Sequence, residues 1–173
     1  IVEGKGDFGN GEAYGHYSVG GRQVIEWFVP EGQQPAGLPF EQVAYSYGYR
    51  DVLGVVQNGG TCSLDPACYS AWLNESNAAC KLVFTSGGAS YLCSGQLMAT
   101  TAADETPYVS TANHCISTSA EANSCQFIFF YRSPTCGSAT SAGTTVTAAD
   151  LSATYLTSDC TLLRVKGALP SGV

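Results

Sequence analysis

Tyr108-Val-Ser-Thr-Ala-Asn-His-Cys115 reads as a short strand that runs directly into a histidine and a cysteine. Tyr, Val and Thr favour extended backbone. A histidine at the end of such a strand is held on a rigid element while one side stays open, which is where a general base must stand. Working outward, the neighbouring runs have the same character. Lys81-Leu-Val-Phe84 and Tyr91-Leu-Cys-Ser-Gly-Gln-Leu97 flank Ser86-Gly-Gly88, the pattern of a hairpin. Cys125-Gln-Phe-Ile-Phe-Phe-Tyr131, Thr144-Thr-Val-Thr147 and Cys160-Thr-Leu-Leu-Arg-Val165 follow, making six strands. A short helical turn fits within 70–79. The fold class is all-β.

The region before this set has a different composition. Residues 1–61 hold no cysteine, and all eight cysteines lie between Cys62 and Cys160. Val24-Ile-Glu-Trp-Phe-Val29, closed by Pro30, reads as a strand, and Gln42-Val-Ala-Tyr-Ser-Tyr-Gly-Tyr49 as another. The Gln57-Asn-Gly-Gly60 joint marks the boundary between a β-rich segment, 1–58, and a cysteine-rich domain, 59–173.

Hydrophobic residues make up 45% of the chain and charged residues 12%, which excludes a disordered tail. The net charge of −7 is spread out, with seven acids against three bases in 1–58 and seven against four in 59–173. That distribution leaves no basic footprint for nucleic acid or an anionic membrane, so neither is an expected partner. No apolar run has the length of a membrane-spanning helix, and Ile1-Val-Glu-Gly-Lys-Gly6 lacks the features of a signal peptide. The cysteine count points to an oxidising, secreted setting; buried free thiols are the alternative. Zinc would need paired spacings. Cys62 and Cys68 are too far apart for that, and His114 and Cys115 are sequence neighbours, so neither a metal nor another cofactor is expected.

Two residues carry the chemistry. His114 has its strand-end position. His16, in Tyr14-Gly-His-Tyr17, has no acid near it and reads as an exposed loop residue. Asp159 lies in Thr157-Ser-Asp-Cys-Thr-Leu-Leu163, at the mouth of an apolar strand and 45 positions after His114. An acid there is costly unless paired. An imidazole Nδ1–H is a suitable partner, because the carboxylate then fixes the tautomer and steadies the imidazolium formed in catalysis. Taken alone, an Asp before a strand is most often a turn or cap residue.

These motifs resemble those of trypsin-like serine proteases, and in particular secreted bacterial lysyl endopeptidase-like enzymes. Thr111-Ala-Asn-His-Cys115 is similar to the T-A-x-H-C signature around the catalytic histidine, Cys93-Ser-Gly-Gln-Leu97 to the upstream C-x-G-x-L strand, and Asp159-Cys-Thr-Leu-Leu163 to the D-x-x-L-L segment around the catalytic aspartate. The resemblance covers residues 59–173. It implies the first six-stranded barrel of a double barrel, with His114 and Asp159 catalytic and protein or peptide substrates. It further implies disulfides Cys93–Cys115 and Cys68–Cys136, and a partner for Cys62 in the second barrel. Cys80, Cys125 and Cys160 stay unassigned. Cys160 takes a slot usually filled by an apolar core residue, where a half-buried thiol or an extra disulfide fits. Residues 1–58 resemble the β-rich propeptide of that group, with processing between Arg50 and Gly60. Ile1-Val-Glu-Gly4 resembles an activated zymogen's N-terminus, but stands too far before His114 to act as one.

The class orders its triad His, Asp, Ser. Only Ser171 follows Asp159, in Leu169-Pro-Ser-Gly-Val173, without the Gly-Asp-Ser-Gly context of a nucleophile. Thr85-Ser-Gly-Gly88 mimics part of that context but precedes His114 and sits in a hairpin turn. The expectation is a chain that ends before the second barrel, with its serine, and is inactive by itself. The alternative is a secreted non-catalytic pseudoprotease or β-rich binding module.

Overall fold

The computed structural model describes residues 13, 15, 22–34, 37–38, 40–42, 64–138 and 140–173. Seven antiparallel segments form one sheet. They are β1 (Ala79–Ser86), β2 (Ala89–Met98), β3 (Tyr108–Thr111), β4 (Gln126–Phe129), β5 (Thr144–Thr147), β6 (Ala149–Tyr155) and β7 (Cys160–Val165). Their order is β5-β4-β1-β2-β3-β7-β6. The two outer segments belong to one stretch of chain, bent at Ala148 with φ 73°. Ala148 N–H donates to Cys125 O at 2.8 Å beside β4, and its carbonyl accepts from Lys166 N at 3.0 Å beside β7. The sheet therefore curls round on itself as a half-barrel, and its seven paired segments come from six strands.

The inward faces follow the alternation of the strands. Cys80, Leu82 and Phe84 of β1 meet Phe127 and Phe129 of β4, Val109 of β3, and Leu163 and Val165 of β7 in one core with Ile116 and Cys125. Phe127, Phe129, Leu82, Ile116 and Leu163 are fully buried, and side chains of this kind each contribute about 1.5–3 kcal/mol through burial. The β1–β2 hairpin turns on Gly87 (φ 57°) and Gly88 (φ 81°), the two left-handed residues that a two-residue hairpin loop requires.

Several expectations are corrected. Val24–Val29 forms no strand; it is mostly exposed, with no ladder partner among the described residues. The turn after it does form, with Gln33 N–H donating to Pro30 O at 3.2 Å. β4 stops at Phe129, not Tyr131, because Phe130 turns to φ 55°. β6 and the helix α2 (Ser119–Ser124) were not anticipated. The helical turn within 70–79 is present as a 3-10 turn, Ser70–Trp72, leading into α1 (Leu73–Ala78). Ile1–Gly4, His16, most of the Gln42–Tyr49 run, the Gln57–Gly60 joint and Cys62 lie outside the described residues.

Candidate active site

β3 delivers the histidine. It pairs with β2 on one side and β7 on the other. After Thr111 the chain turns, with Cys115 N–H and Ile116 N–H both donating to Ala112 O at 3.2 Å. Thr111 Oγ1 donates to Ser94 O at 2.9 Å, which ties the start of the turn to β2. Cys115 bonds to Cys93 of β2 at the far side of the turn. His114 is thereby held between two anchors while its ring projects outward.

Asp159 comes from the hairpin joining β6 to β7. Its backbone is left-handed (φ 47°), and its N–H donates to Leu156 O at 3.1 Å. The carboxylate meets His114 twice. Oδ1 accepts from the His114 backbone N–H at 2.8 Å, and Oδ2 lies 2.6 Å from ring Nδ1. The Asp159 carboxyl is held below its ordinary value, first by the bond from the His114 backbone N–H and then by the ring. Both side chains are well exposed, His114 at 71% and Asp159 at 50%. Nε2 of His114 makes no hydrogen bond among the described residues, so its lone pair is available for a proton once Nδ1–H is given to Asp159.

The second disulfide joins Cys68 to Cys136 and ties the 3-10 turn Pro66–Cys68 to the loop after β4. Cys80 and Cys125 are buried free thiols. Cys160 is also free, and it is exposed, neither half-buried nor bridged. The alternation of β7 explains this: Thr161, Leu163 and Val165 point inward, which turns Cys160 out. The Sγ atoms of Cys93 and Cys115 and a ring nitrogen of His114 lie within 4.8 Å of one another. Both sulfurs are committed to a disulfide and offer no thiolate to a metal ion. Ser171 lies in the tail after β7, where Gly172 O accepts from Asn77 Nδ2 at 2.9 Å. An open groove of about 750 Å³ runs over β1 and β2. It includes Cys93 in its wall but neither His114 nor Asp159.

Sequence reasoning passed over the residues behind the pair. Asn113, at the open position of the T-A-x-H-C signature, is buried and donates through Nδ2 to Thr154 Oγ1 at 2.7 Å. Thr154 lies on the unanticipated β6. Once that strand is drawn opposite β7, its register pairs Thr154 with Thr161.

The curled antiparallel half-barrel sets a histidine–aspartate pair at its strand ends, an arrangement compatible with a β-protein of the serine-protease class. Within that class the chain belongs to the lysyl endopeptidase family: residues 56–173 match the family described as lysyl endopeptidase, C-terminal domain. A lysyl endopeptidase of Pseudomonas aeruginosa is 32% identical over 170 residues, an alignment that covers 87% of this chain and 36% of the relative. The chain thus spans about a third of the length of the curated relative it matches.

Proposed function

We propose that His114 and Asp159 are two members of the triad of a secreted serine endopeptidase, the third being a serine from a second barrel of the same polypeptide. The observation that carries this reading is the 2.6 Å contact between His114 Nδ1 and Asp159 Oδ2, with Nε2 left without a hydrogen bond among the described residues. His114 takes the proton of the serine hydroxyl as it attacks the peptide carbonyl, then returns it to the leaving amine. Asp159 keeps the ring in the tautomer with Nδ1–H and balances the imidazolium charge. Substrates are proteins or peptides. Family membership and the two disulfides support an extracellular enzyme. Residues 1–58 act as a propeptide-like segment before the barrel at 59–173, which N-terminal sequencing of the mature protein would test.

The deciding assay is turnover of a casein-type substrate by the full-length protein and its variants. Asp159→Asn is expected to lower kcat by about 10⁴-fold, and His114→Ala by about 10⁶-fold. Residues 1–173 by themselves are expected to give none. Turnover that survives His114→Ala refutes the assignment. A folded full-length protein without turnover would instead be a non-catalytic pseudoprotease.

A further inference from the structure

Behind the pair runs a chain of three hydrogen bonds that involves neither His114 nor Asp159. Asn113 Nδ2 donates to Thr154 Oγ1 at 2.7 Å. Thr154 Oγ1 and Thr161 Oγ1 are 2.6 Å apart. Thr161 Oγ1 donates to Ile116 O at 2.7 Å. Each hydroxyl has one hydrogen to give. That of Thr161 is committed to Ile116 O, so Thr154 must donate to Thr161, and its own oxygen receives the Asn113 amide. All three bonds point one way, from Asn113 to Ile116.

The placement is symmetrical. Asn113 immediately precedes His114, and Ile116 follows it by two residues. Thr154 lies on β6, one arm of the hairpin that carries Asp159, and Thr161 on β7, the other arm. The chain therefore clips both ends of the histidine turn to both arms of the aspartate hairpin. Asn113 is 8% exposed and Thr161 1%, while Thr154 between them is exposed, so water is kept from the Thr161–Ile116 bond and reaches only the central hydroxyl of the chain. The pair in front is open to solvent, and an exposed contact of this kind contributes little toward holding its own geometry.

We infer that Asn113, Thr154 and Thr161 are positioning residues, a brace that sets His114 against Asp159. The T-A-x-H-C signature leaves position 113 open, so the resemblance gives Asn113 no role. The catalytic consequence rests on the proposed endopeptidase reading, while the geometric one does not. Misplacement by about 1 Å is enough to cost about 100-fold in rate.

The test uses the full-length protein and two readouts, kcat and KM on a peptide substrate and the NMR resonance of the His114 Nδ1 proton. Thr154→Val removes the central hydroxyl and keeps the shape. It is expected to lower kcat by about 10- to 100-fold with little change in KM, and to shift or broaden the Nδ1 proton signal. Thr154→Ser restores the hydroxyl and is expected to recover both. Asn113→Ala opens only the first bond and is expected to give a smaller effect of the same kind; it serves as the test if Thr154→Val does not fold. A folded Thr154→Val, or Asn113→Ala in its place, with wild-type kcat and an unchanged resonance overturns the brace. So does a fall in kcat without a change in the resonance. If His114→Ala keeps its activity, the endopeptidase reading fails, and the resonance alone still decides the brace.

Discussion

Glu121 offers a quantitative test of how the segment after the histidine turn is held. Its Oε1 accepts from Ser86 Oγ at 2.7 Å, linking α2 to the end of β1. Its Oε2 accepts from Ser117 N at 2.8 Å and Thr118 N at 2.9 Å, while Thr118 caps α2 in return. Burial alone would raise the carboxyl's pKa, but bonds from Ser86, Ser117 and Thr118 outweigh it and bring it from 4.5 to about 2. Because solvent reaches much of the side chain, screening leaves this shift worth about 1–2 kcal/mol. The folded-state pKa is depressed, so this stabilisation is present above about pH 4.5 and lost as pH falls toward about 2. Glu121→Gln keeps one oxygen but turns an NH₂ group or a weaker acceptor toward the two backbone donors. The variant is expected to be less stable by about 1–2 kcal/mol at neutral pH, with the gap closing in acid. Urea unfolding at several pH values, with the slope unchanged between variants, measures it. A gap that stays constant with pH, or is absent at neutral pH, refutes the reasoning.

Other perturbations probe the core and the cysteines. At Gly95 of β2 an added Cβ would lie 2.7 Å from Val109 Cγ1 and 3.2 Å from Cys80 Sγ, so Gly95→Ala should cost about 1–3 kcal/mol in urea unfolding through overpacking; a neutral result would show that β2 and β3 can part. The disulfides close loops of different length, 68 residues apart for Cys68–Cys136 and 22 for Cys93–Cys115. Loop entropy then predicts losses of about 4.4 and about 3.4 kcal/mol when each pair is replaced by Ala, and a reversed order in urea unfolding would count against that account. Among the free cysteines of the described residues, a thiol reagent should label Cys160 first in the native chain. Cys80, which burial pushes up to about 12, and buried Cys125 should label only on unfolding; peptide mapping by mass reads the order, and early labelling of Cys80 or Cys125 would contradict the packed barrel.

The all-β character was legible because β1, β2, β3, β4 and β7 are rich in Val, Phe, Tyr, Leu and Thr. β6 was not, because Ala149-Asp-Leu-Ser-Ala-Thr-Tyr155 has little intrinsic preference for a strand, and β7 supplies its ladder. Val24–Val29 shows the converse, a run with strand propensity that gains no partner among the described residues. α2 had a readable signal, Thr118 with Glu121 three residues later, but its few residues gave no helical period. Eight cysteines allow 105 pairings, and only the family likeness singled out Cys93 with Cys115 and Cys68 with Cys136. The Asn113–Thr154–Thr161 chain was invisible for another reason: its first bond spans 41 positions and depends on a strand register that no local pattern encodes.

Asp159 brings the two readings of its sequence context together. An aspartate before a strand is most often a turn residue, and here it is one, with φ 47° and its N–H on Leu156 O. Short polar side chains tolerate that left-handed backbone better than most. The same carboxylate receives the His114 backbone N–H on Oδ1, which fixes its orientation and leaves Oδ2 for the ring. Those bonds lower its pKa, the backbone one first, so at neutral pH it stays a carboxylate and can only accept. Nδ1 of His114 must then carry the hydrogen, and the lone pair falls on Nε2, which faces outward. The turn is thus the means by which the tautomer is set: the residue type that closes the β6–β7 hairpin is also the one whose short acid arm reaches the backbone N–H and the ring Nδ1 of the histidine it faces.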